Sequence, residues 1–187
     1  MLFLIANLSF SQNTRLNVRE SSEFKDEIKS DDVLSIHTTN NNLTGIVRNS
    51  KRYLLFDIFD ESLNKIFSKV VETSKKEDYV GDLYFENVIK IFTVFSPDKS
   101  NRTIYCHIFD LDAKSHEKVE IFSTTVEKEQ NLFSGKNKRQ TSFALSPDGN
   151  YLAIVTDNVK KNLNAYTARV FYSNNLELVY QKSYQED

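Results

Sequence analysis

One hairpin is written three times along this 187-residue chain. "YLLFDIFDESLNKIFSKVV" at 53–71 and "TIYCHIFDLDAKSHEKVEIFS" at 103–123 both carry Ile-Phe-Asp into a polar turn, with Ile58-Phe59-Asp60 and Ile108-Phe109-Asp110 offset by 50 residues. "YTARVFYSNNLELVYQKSY" at 166–184 keeps the pattern, with Val170-Phe171-Tyr172 ahead of Asn174-Asn175. Two further strand candidates precede each hairpin: 33–38 with 43–48, 82–86 with 88–95, and 141–145 with 151–157. Short alternating runs rich in aromatic and β-branched residues, bounded by polar turn residues, are strands. The chain is therefore expected to be all-β, built of antiparallel four-stranded units repeated about three times, at 32–71, 82–123 and 141–184.

Composition fits that expectation. Four Gly and two Pro are few, while 14 Phe and 9 Tyr are plentiful, which suits long strands joined by Asn, Asp, Ser and Lys turns. Repeated four-stranded units of this size are the blades of β-propellers, which close with four to eight of them. Three blades leave two flanks without a neighbour, so self-association through the blade ends is expected, and the chain reads as the N-terminal part of a larger propeller.

The stretch "SFALSPDGNYLAIVTDN" at 142–158 has the chemistry of a hairpin turn. Pro147 presets one dihedral, Asp148 bonds the backbone ahead of it, and Gly149 supplies a positive φ without steric cost. From Phe143 to Ala153, this stretch resembles the repeat of TolB-like and WD40-like propellers, in which SPDG, a two-residue spacer and an Ala mark the turn between the first and second strands of a blade. The match covers one blade, and no Trp-Asp pair closes any blade. Ser96-Pro97-Asp98 also lies 50 residues before Ser146-Pro147-Asp148. It nevertheless falls 12 residues ahead of Phe109, whereas Pro147 lies 24 ahead of Phe171, so the two tripeptides belong to different loops. The resemblance implies a binding or scaffolding module. It also admits a glycan- or peptide-sensing propeller, or the propeller portion of a serine peptidase of the dipeptidyl peptidase kind whose catalytic domain lies elsewhere.

Chemistry is sparse. With 24 basic and 26 acidic residues the net charge is −2, which gives no global attraction to nucleic acid or an anionic membrane, so a protein or peptide partner is expected. There is no G-x-S-x-G, H-E-x-x-H or P-loop pattern, and no catalytic residue, cofactor or metal is assigned. Cys106, the single cysteine, alternates with Ile104 and Ile108 as a buried hydrophobe. Adjacent in one strand, Cys106 and His107 point to opposite faces and cannot share a metal. His107, in phase with Tyr105 and Phe109, is expected to be a satisfied, partly buried imidazole, and Asp57, Asp60, Asp110 and Asp112 read as solvated hairpin-end residues. The irregular connection at 124–140 places Lys136, Lys138 and Arg139 beside Phe133, as a candidate partner-contact loop.

The N-terminus, Met1 to Leu8, is a short apolar run followed by Ser9-Phe10-Ser11, small residues at −3 and −1 of a cleavage before Gln12. Residues 1–11 thus read as a signal peptide, possibly shortened at its start, 12–31 as an N-terminal strand or linker, and 32–187 as the β-domain. The protein is expected to be extracytoplasmic. No segment approaches the ~20 apolar residues of a membrane-spanning helix.

Overall fold

A computed structural model of the chain describes residue 20 and residues 28–98, 100–126, 141–158 and 165–185. Twelve strands form three four-stranded antiparallel sheets in a partial propeller-like arrangement, with no helix among the described residues. Blade 1 comprises β1 (Asp32–Thr38), β2 (Thr44–Ser50), β3 (Tyr53–Phe59) and β4 (Lys65–Glu72). Blade 2 comprises β5 (Glu77–Phe85), β6 (Val88–Phe95), β7 (Asn101–Asp110) and β8 (Ser115–Thr125). Blade 3 comprises β9 (Thr141–Leu145), β10 (Tyr151–Asp157), β11 (Tyr166–Tyr172) and β12 (Leu178–Tyr184). Each blade is a meander in chain order. The first strands adjoin one another, β1 against β5 and β5 against β9, so they form the inner edge of the stack.

The hairpin repeat holds at the level of register. Ile46 pairs with Asp57, and Asp57 with Ser68. In blade 2 the corresponding row is Ile91, His107 and Lys118, and in blade 3 it is Ile154, Arg169 and Gln181. Directly paired residues share a face of the sheet, so this row marks one face of every blade. In blades 2 and 3 that face turns toward the preceding blade, and it is called the front here; the opposite face is the back.

Packing alternates front on back. Val47, Phe56 and Ile58 on the back of blade 1 meet Ile89, Ile91 and Phe109 on the front of blade 2, all of them buried. Phe92, Ile104 and Cys106 on the back of blade 2 meet Leu152, Ile154 and Phe171 on the front of blade 3. At about 1.5–3 kcal/mol for each fully buried large apolar side chain, these two interfaces hold the stack together.

Two sequence readings need correction. Strand β5 begins at Glu77, five residues before the expected start at 82, because Glu77 and Asp78 sit in the ladder opposite Phe95 and Val94 although their charge reads as loop. Asp57 is no solvated turn residue: it lies within β3 with its side chain 2% exposed and ion-paired to Arg48. Glu86 and Asn87 form the tight turn between β5 and β6. Both residues have positive φ, 47° and 63°, as a two-residue hairpin of the mirror-image type demands.

Candidate functional site

The row on the third strand of each blade carries a charged or titratable side chain in every blade: Asp57, His107 and Arg169. In blade 1, Arg48 and Lys65 flank the Asp57 carboxylate, Lys65 Nζ at 3.7 Å. In blade 3, the Arg169 guanidinium donates to Gln181 Oε1 at 2.9 Å and Thr156 Oγ1 at 3.1 Å and lies 4.2 Å above the Phe122 ring of blade 2. That cation over an aromatic face links two blades.

Blade 2 carries the densest cluster. The Glu77 carboxylate is reached by His107 Nε2 at 2.8 Å, Thr93 Oγ1 at 2.7 Å and Lys118 Nζ at 2.9 Å, which joins all four strands of the sheet. Nδ1 of His107 lies 3.1 Å from His116 Nε2, so the two rings share one proton. Burial pushes the Glu77 carboxyl up, but the three donors outweigh it and hold the group at about 2. Burial, together with His107, Lys69 and Lys118, holds the His116 imidazole down at about 4. A carboxylate-oriented imidazole is the arrangement of a general base, yet His107 is wholly buried and both its ring nitrogens are engaged. The cluster therefore ties strands. Among the described residues no three His, Cys, Asp or Glu side chains converge as metal ligands do.

Cys106 is fully buried on the back of blade 2, as its alternation predicts, and burial pushes its thiol up to about 12. On the same face, buried Lys90 donates across the blade interface to the carbonyls of Ser173 at 2.7 Å and Asn174 at 2.5 Å, clasping the β11–β12 turn. Nothing in the alternation of the sequence identifies that lysine as internal.

The turn at 146–150 forms as its residues predict. Asp148 accepts from Ser146 Oγ at 2.5 Å, Asn150 N at 3.1 Å and Asn150 Nδ2 at 2.7 Å, while Gly149 adopts φ 73° and donates to Ser146 O at 2.9 Å. Pro147 is exposed at its apex. This turn joins β9 to β10, whereas Asp98, bonded to Ser100 N and Asn101 N, caps the β6–β7 loop. The two tripeptides do occupy different loops. Phe133, Lys136, Lys138 and Arg139, and the leader at 1–11, lie outside the described residues.

The surface that stands out is the back of blade 3. Register places Ala153 and Val155 of β10, Ala168 and Val170 of β11, and Tyr180 and Lys182 of β12 on it. A tyrosine pair closes each end: Tyr151 with Tyr172, ring centroids 5.3 Å apart, and Tyr166 with Tyr184, 4.9 Å apart. None of these residues is buried, although the matching positions Val47, Phe56, Phe92 and Cys106 in the other blades are completely covered. The exposed large hydrophobics of the described residues all lie on blades 1 and 3 and none on blade 2, with Tyr172 at 40% and Tyr180 at 48%. The period-2 run of Tyr166, Ala168, Val170 and Tyr172 was legible in the sequence; its lack of cover was not.

No family model matches the chain, and no curated protein matches it significantly. Among solved structures it is similar to the β-propeller domain of Vanderwaltozyma polyspora Nup133, with 6% sequence identity and a TM-score of 0.44, over 88% of this chain and 50% of that one. The chain thus spans about half the length of that domain.

Proposed function

We propose that the chain is a non-catalytic binding module whose docking face is the back of blade 3. The observation that supports this reading is the uncovered back of blade 3: Ala153, Val155, Ala168 and Val170 are not buried there and Tyr151, Tyr172 and Tyr180 are exposed, while the matching positions Val47, Phe56, Phe92 and Cys106 are completely covered. Exposed apolar surface gathered in one patch marks an interaction site, and tyrosines at its rim supply contact area with a polar tip for solvent. A small, weakly charged floor of Ala and Val suits a protein surface better than a nucleic acid or a charged metabolite. The SPDG turn supports placing the module among TolB-like or WD40-like propellers, and the apolar leader with Ser9-Phe10-Ser11 supports export; mass measurement of the secreted protein, with Gln12 expected first, checks the latter.

The test of the binding reading compares two baits. The full chain and its Val170→Glu variant are used side by side to capture proteins from the cells that make it. Proteins retained by the wild type and lost by the variant are the expected result. An identical set on both baits contradicts the reading.

A further inference from the structure

We propose that the cleft between blades 2 and 3, at their turn end, is a binding site for an uncharged sugar ring. The cleft has a volume of about 190 Å³ and is lined by Phe85 at the end of β5, Asn150 and Tyr151 at the start of β10, and Tyr172, Ser173 and Asn174 at the end of β11. All of these belong to blades 2 and 3, so a single blade interface makes the whole site. The neighbouring interface shows the same place filled. Leu111 N donates to Asn87 O in blade 2 as Ser173 N donates to Asn150 O in blade 3, so Leu111 and Ser173 hold matching positions. Leu111 is wholly buried and occupies the space over Gly45 of blade 1, where a Cβ would lie 2.9 Å from Leu111 Cγ. In the second interface the sizes are exchanged. Lys90 stands where blade 1 has Gly45, one residue before Ile91 as Gly45 is before Ile46, and it reaches across to the carbonyls of Ser173 and Asn174. The cleft lies beside the small residue of this pair, on a turn that Lys90 holds in place.

The Ser173 hydroxyl points to a ligand. Its amide and carbonyl are both engaged, yet the hydroxyl is buried and has no hydrogen-bond partner among the described residues. Of the buried side-chain oxygens in that condition, only this one belongs to a residue that lines the cleft. A buried hydroxyl without a partner destabilises the fold, and a ligand that bonds to it relieves that cost. The lining then selects the chemistry. None of the side chains around the cleft is charged, so a charged ligand would give up its hydration for no counter-charge. Three aromatic side chains offer apolar surface to the C–H face of a ring. Asn150 Nδ2 is bound to Asp148 and Asn174 Oδ1 to Asn175 N, which leaves the Asn150 oxygen to accept and the Asn174 nitrogen to donate. A sugar hydroxyl does both. The volume falls below the roughly 300 Å³ at which pockets begin to take drug-sized ligands, which limits the occupant to one ring.

The experiment is saturation-transfer NMR of the full chain with the methyl glycosides of glucose, galactose, mannose and N-acetylglucosamine, each from about 0.1 to about 50 mM, the range of a ligand this small. Circular dichroism on every variant checks that the strands persist. The expected result is transfer to at least one of the four sugars, strongest on its ring C–H protons. Ser173→Ala weakens that binding about tenfold or more and does not lower the urea midpoint, because the hydroxyl has no partner in the fold to lose. Tyr172→Ala, which removes a ring from the wall, also weakens it. The 6-phosphate of the sugar that binds is held about tenfold less tightly or worse, for want of a counter-charge. Transfer to none of the four sugars, binding unchanged by Ser173→Ala or by Tyr172→Ala, a Ser173→Ala protein with a lower urea midpoint, or a phosphate form that binds as well as its parent overturns the proposal.

Discussion

The Phe143 side chain occupies the space in which Gly81 would carry a Cβ. An atom built there would lie 2.5 Å from Phe143 Cγ and 3.0 Å from its Cβ. Gly81 is on β5 and Phe143 on β9, so the two inner strands of blades 2 and 3 touch only because this position lacks a side chain. Gly81→Ala is expected to force the root of the Phe143 side chain aside and to destabilise the protein by about 1–3 kcal/mol in urea denaturation. Unchanged stability would mean that β5 and β9 do not meet in this register.

Acid is expected to weaken the fold in two steps. His116 is held at about 4 in the fold, below its ordinary 6.5, so the folded state binds fewer protons than the unfolded one between those values. That contribution is complete above pH 6.5 and is lost as the pH falls toward 4. Glu77, held at about 2 against an ordinary 4.5, adds a second loss below pH 4.5. The first step is on the order of 1 kcal/mol after allowance for solvent screening. Denaturation of wild type and His116→Gln at pH 7, 5.5 and 4 checks this: the variant should lose the slope above pH 4.5 and keep the one below it.

Cys106 is expected to resist a thiol reagent in native buffer and to react fully in denaturant. Its thiol is wholly covered at the interface of blades 2 and 3 and burial pushes it up to about 12, with the Lys90 ammonium pulling weakly the other way. Fast native labelling would put the register of β7 out by one residue.

The repeat was legible because a strand register is specified along its whole length. The alignment of Ile58-Phe59-Asp60 with Ile108-Phe109-Asp110 and Val170-Phe171-Tyr172 is the alignment that carries Asp57, His107 and Arg169 to the same place in successive blades. Polar residues inside strands were harder to read. Asp57 looks like a turn residue until Arg48 on the neighbouring strand is seen to neutralise it, and Glu77 looks like loop until Thr93, His107 and Lys118 converge on it from three other strands. Those partners lie up to 41 positions apart in sequence and only the sheet brings them together. The uncovered back of blade 3 was hidden for a related reason: Ala168 and Val170 alternate as any strand does, and whether a sheet covers them depends on a neighbour the alternation does not name.

The most direct measurement of the central claim places a photo-cross-linking amino acid at Tyr172, on the back of blade 3, and at Glu117, an exposed position on blade 2, in the full chain within the cells that make it. Cross-linked species are then resolved by mass. The expected result is a defined adduct from position 172 and none from position 117. Equal yields from both positions, or no adduct from position 172, would contradict the assignment of the back of blade 3 as the docking face.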